Sequence, residues 1–126
     1  MKRSWIGFFL LMILLVLSLI VTGFMTRIHE SIELDLTQLS KCALVKDWDS
    51  ADLFCRRAFR TWTKWEHFRA CFADHNPVED IDADFAALKI YLLSRDPISC
   101  SAAASALARQ VAAVGDAHKP VWWNLF

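Results

Sequence analysis

The chain has 126 residues, 56% of them hydrophobic, with 14 basic and 14 acidic side chains and a formal net charge of zero. Lys2 and Arg3 precede a long uncharged run, so the residues beyond it carry 12 basic against 14 acidic groups, which excludes bulk attraction to nucleic acid or an anionic surface. Three glycines and three prolines are too few for a turn-rich β protein and suit long helices joined by short links.

No charge occurs from Ser4 to Thr26, and the run from Trp5 to Met25 is almost wholly Ile, Leu, Val, Phe and Met. About 20 such residues cross the hydrocarbon core as a helix, because a helix satisfies its own backbone groups there. Lys2 and Arg3 on one side, against Arg27 followed by Glu30, Glu33 and Asp35 on the other, put the N-terminus in the cytoplasm. The competing reading is a signal peptide cut near Val21 or Gly23, but the apolar run exceeds the usual length of such a segment. The expected division is a cytoplasmic N-terminus (1–4), a transmembrane helix (5–26), an extracytoplasmic helical bundle (27–118) and an aromatic C-terminal tail (119–126).

Ile28, Ile32, Leu36, Leu39 and Ala43 recur at helical spacing, so the first outer helix continues the anchor and ends near Lys46. Asp47 reads as the N-cap of a second helix with Asp49 and Asp52 at its positive end. Trp48, Ala51, Cys55, Ala58, Trp62 and Trp65 form its stripe, widened by Phe54, Phe59, Phe68 and Phe72. Run on to His75, this helix measures about 42 Å against about 30 Å for the first outer one. Either it breaks early, or the bundle tilts, or Phe68 and Phe72 reach the lipid headgroups.

Asn76-Pro77-Val78-Glu79 opens a third helix with a cap, a proline and a capping-box acid, and Ile81, Phe85, Leu88 and Leu92 supply its stripe. Asp96-Pro97 repeats the signal for a fourth helix through Ala103, Leu107, Val111 and Val114, whose alanine-rich face is expected against the tryptophans of the second. Gly115 and Pro120 are expected to close it. Short links make sequential helices antiparallel, so the fold is all-α: an N-terminal transmembrane helix followed by an antiparallel up-down four-helix bundle. Helix four then returns toward the membrane and brings the Trp122-Trp123 tail near its surface.

The chain resembles an uncharacterised family, a domain of unknown function found in small single-span membrane proteins, chiefly of Gram-positive spore-forming bacteria. The likeness rests on the Asp47-Trp48-x-x-Ala51 opening, Trp62 with Trp65, and His75 ahead of Glu79, Asp80 and Ile81. Tyr91-Leu92-Leu93 ahead of Asp96 and the terminal Trp123-Asn124-Leu125-Phe126 fit it as well. The resemblance implies the same anchored helical architecture and no activity, substrate or site residue.

His67, Cys71 and His75 fall at i, i+4 and i+8, and on an unbroken helix would share one face suited to zinc or copper, with Asp74 or Glu79 completing the set. No CxxC or HExxH signature accompanies them, and surface histidines beside a half-buried thiol account for the same spacing. No metal site, cofactor or catalytic residue is therefore expected. Arg56, Arg57, Arg60, Lys64 and Arg69 form a basic stretch before an acidic one, Asp74, Glu79, Asp80, Asp82 and Asp84, which reads as solvated faces rather than a binding patch. Cys42, Cys55 and Cys100 fall at the membrane-distal end and Cys71 at the proximal end, with free thiols expected. The functional expectation is a membrane-anchored interaction or scaffold module at the cell envelope, not an enzyme. Its partners are the bilayer through residues 5–26 and an unidentified membrane or envelope protein, with no nucleic acid. The alternative is a small extracytoplasmic sensor binding a metal or an apolar ligand near His67–His75 or between the tryptophans.

Overall fold

A computed structural model describes residues 1–70 and 75–117, and all regular structure among them is helical. Five helices follow in order: α1 (Lys2–Leu44), α2 (Trp48–Lys64), α3 (Glu66–Ala70), α4 (His75–Ser94) and α5 (Pro97–Ala117). Helix α1 runs 43 residues without a break, because nothing between the apolar run and Leu44 interrupts helix formation. Residues 1–20 are exposed along its whole circumference. From Met25 onward one stripe, Met25, Ile28, Ile32, Leu36, Leu39 and Ala43, is buried.

The end of α1 is a Schellman closure. The Lys46 N–H donates to the Ala43 carbonyl (3.1 Å) and the Asp47 N–H to the Cys42 carbonyl (2.9 Å), with Lys46 itself left-handed at φ 60°. Asp47 also starts α2, its Oδ1 accepting the Ser50 N–H at 3.3 Å. Asp96 does the same for α5, taking the N–H and the hydroxyl of Ser99 at 3.3 and 2.6 Å.

The core lies around the second half of α1. Helices α2 and α5 pack on α1, and α4 packs on α5 and α2. On α1 and α2, Phe24 meets Trp65 edge-on at 4.9 Å and Asp35 meets Arg57. Between α2 and α4, Phe59 meets Phe85 at 5.5 Å and Arg95 pairs with Asp52. The seam between α1 and α5 is made of small groups. Ser40 Oγ lies 2.7 and 2.9 Å from the hydroxyls of Ser101 and Ser105, and a Cβ on Gly115 would come within 3.1 Å of the His29 Cβ.

Three local expectations shift. Helix α2 ends at Lys64 rather than running to His75, so of the three ways to reconcile the helix lengths, the early break is the one adopted. The hydroxyls of Thr61 and Thr63 bond back to the carbonyls of Arg57 and Phe59, both at 3.0 Å, a competition that weakens a helix near its end. Gly115 does not cap α5 but sits buried inside it, where a Cβ would press on His29 of α1 at 3.1 Å. The small face of α5 accordingly serves close approach to α1, while Trp62 lies among His29, Asp82 and Phe85.

Trp62 is the largest fully buried side chain among the described residues, 1% exposed, and its Nε1–H donates to Asp82 Oδ1 at 2.6 Å. In the full chain in detergent micelles, Trp62→Ala should lower stability by about 3–5 kcal/mol in a denaturant melt. Trp62→Phe, which keeps most of the ring volume and loses the hydrogen bond, should cost less. An unchanged melt for Trp62→Ala would place the ring outside the core.

Candidate functional site

The buried stripe of α1 carries three polar residues. Asp35 is 2% exposed and receives Arg57 of α2 in a fork, Nη2 to Oδ1 at 2.6 Å and Nε to Oδ2 at 3.2 Å. The guanidinium lies 5.5 Å over the Phe54 ring and keeps 57% exposure, so water reaches the cation but not the carboxylate. His29, also 2% exposed, donates from Nδ1 to the Met25 carbonyl one turn back at 2.7 Å, since a carbonyl can only accept. Ser40 completes the set. These residues sit one or two turns apart on the face that everything else packs against.

Beside His29 opens a cleft of about 250 Å³ lined by Thr26, Glu30, Glu33, Ala112, Gly115 and Asp116. Gly115 lines it where α5 crosses His29. Its carboxylates give it a negative mouth, yet no group of three His, Cys, Asp or Glu side chains able to hold a metal occurs among the described residues.

The sequence candidates for a metal are not brought onto one helix. His67 is exposed on the short α3, beyond the break at Trp65, and His75 opens α4. Cys71 and Asp74 lie outside the described residues, as does Phe72. Cys42, Cys55 and Cys100 are free thiols. Burial raises all three, Cys100 to about 11 with the neighbouring Cys55 adding to the effect, so they stay protonated at neutral pH and are poor nucleophiles and metal ligands. Arg56, Arg60 and Lys64 are exposed on α2, as expected for a solvated face, but Arg57 leaves that group for the buried Asp35, and Asp82 leaves the acidic group to hold Trp62. His29 and Asp35 fall outside the apolar pattern, and the one sign of their burial in the sequence is spacing. Met25, His29, Ile32 and Leu36, and likewise Ile28, Ile32, Asp35 and Leu39, are spaced as one helical stripe.

Residues 19–125 match the family model described as Domain of unknown function (DUF4363). The chain belongs to this family. No curated protein and no solved structure matches it. The DUF4363 region begins inside the apolar run, two turns before Thr26, and takes in every helix that packs on the second half of α1. The unit shared by the family therefore includes the junction between the exposed and the buried halves of α1, and its description supplies no chemistry for the cleft beside His29.

The Asp35–Arg57 pair is the most demanding polar contact in this unit. Arg57→Ala, which strands the buried carboxylate, should destabilise the full chain by about 3 kcal/mol, whereas replacing both partners with leucine should recover most of that loss. Denaturant melts of the single and double variants measure the difference. Equal losses in both would mean that the carboxylate is not isolated from water.

Proposed function

We propose that this protein is a membrane-anchored interaction module. Residues 5–26 cross the bilayer once with the N-terminus in the cytoplasm, and an antiparallel up-down four-helix bundle stands outside, presenting its surface to a membrane or envelope protein. One observation carries the reading. A single helix, α1, has a first half that is apolar and exposed on all sides and a second half that is a buried core stripe. An exposed helix of some 20 apolar residues is at home in hydrocarbon, where no other segment of the chain need cover it.

The residue pairs support the up-down arrangement. Along α1 and α2, Phe24 with Trp65 and Asp35 with Arg57 run in opposite order. So do His29 with Gly115 and Ser40 with Ser101 along α1 and α5, and Asp52 with Arg95 and Phe59 with Phe85 along α2 and α4. Retention of the anchor is favoured because the domain uses the last turns of the apolar run: Val21 packs on the core and Phe24 on Trp65. A cut near Val21 or Gly23 would sever or strip that contact.

The surface offered to a protein partner is the end remote from the span. Leu44 and Val45 at one connection and Leu93 and Ile98 at the other are all exposed, Leu93 by 83% and Ile98 by 77%. Arg95, over the Trp48 ring and paired with Asp52, brings the second connection beside the start of α2. Exposed apolar groups gathered at one end are what a protein interface uses at its centre. Protonated buried thiols and the commitment of Arg57, Asp35 and Asp82 to packing argue against catalysis by those groups.

A reporter active only in the cytoplasm, fused after Phe126, tests the topology. It should stay silent while the same reporter fused before Met1 is active. Activity at the C-terminus would reverse the proposed orientation.

A further inference from the structure

We propose that Trp65 and Phe68, together with Phe24, form an aromatic collar that rests in the headgroup layer of the phospholipid bilayer and gives the domain a second contact with the membrane. The inference rests on the reading of residues 5–26 as a span, and adds to it a surface that the apolar run does not contain.

Depth is the first argument. Trp5 and Phe24 are separated by 19 helical steps, about 29 Å, which matches the thickness of the hydrocarbon core. Phe24 thus falls at the outer border, with Trp5 at the inner one. The Trp65 ring sits against Phe24 with centroids 4.9 Å apart, so it shares that level although it lies at the break between α2 and α3. Phe68 extends the cluster, 6.3 Å from Trp65, and Phe24 remains 42% exposed. Trp62, one turn earlier, is buried in the core, whereas Trp65 and Phe68 are only half-buried. The transition from core to half-exposed aromatic occurs where the domain would meet lipid.

Chemistry is the second. Tryptophan favours the interface because its ring is apolar and its N–H needs a polar partner. Lys64 lies 5.3 Å over the Trp65 ring, leaving a cation where phosphate oxygens would be, while its stem covers apolar surface.

The test uses the full chain in phosphatidylcholine vesicles, with one environment-sensitive fluorophore at a time at Ile13, His67 or Ile98, and lipids brominated at shallow or deep positions of the acyl chain. His67 is exposed on α3, between Trp65 and Phe68 in sequence. The expected pattern is deep quenching at Ile13, shallow quenching at His67 and none at Ile98. In the Trp65→Ser, Phe68→Ser variant, quenching at His67 should weaken at least twofold, because α3 loses its hold on the headgroup layer, while Ile13 stays deep. If His67 in the unaltered chain behaves like Ile98 while Ile13 is quenched deeply, the collar is wrong and the span stands. If Ile13 is not quenched, the span fails and the collar with it. Quenching at His67 that is undiminished by loss of both rings would also overturn the collar. Should the double variant not fold, the pattern in the unaltered chain decides.

Discussion

Among the described residues, α2, α4 and α5 are assembled around the second half of α1. Helices α2 and α5 pack on it directly, α4 closes on those two, and its stripe from Met25 to Ala43 supplies the centre of the core. Because the same helix continues without interruption into the exposed apolar half, the position of the domain is tied to the position of the run. A flexible linker would let a domain swing; a helix of this length transmits its axis. In the proposed reading, the bundle is therefore held at a fixed height above the bilayer, and the aromatic groups at Phe24 and Trp65 mark where that height is set.

The polar residues buried on α1 fit this role. Asp35 requires Arg57 from α2, and Gly115 of α5 leaves just enough room for His29. Each contact defines which turn of α1 meets which turn of its neighbour, where a purely aliphatic seam would tolerate a slip of one turn. The α1–α5 seam adds the three hydroxyls of Ser40, Ser101 and Ser105, which again specify register more than they add strength. Such a core suits a module whose exposed end must present the same surface each time, and it leaves those groups committed to packing rather than to chemistry.

The legible parts of the fold were those governed by local signals. Periodicity marks the apolar buried stripes of α1 and α4, though not the polar residues His29, Asp35 and Ser40 buried on α1, and Asp47 and Asp96 cap the helices they are expected to cap. The continuity of α1 followed from the lack of any proline or loop between its halves. What could not be read depended on partners distant in sequence. Asp35 on an apolar stripe has meaning only with Arg57 across from it, and Gly115 reads as a helix terminator until His29 is found against it. The end of α2 at Lys64 was hidden because Trp62, Trp65 and Phe68 keep helical spacing through the break, and the expected alignment of His67 with His75 rested on that spacing. The aromatic tail with Trp122 and Trp123 lies outside the described residues.

The central claim is that one rigid helix serves as both anchor and core. Spin labels at Ile13 and Leu34, both exposed on α1, are 21 residues apart and nearly on the same face. Pulsed electron–electron resonance on the full chain in lipid vesicles should give a single narrow distance near 32 Å, the length of an unbroken helix of that span. A distribution that is broad, or centred well below that value, would show a hinge between the two halves and contradict the account.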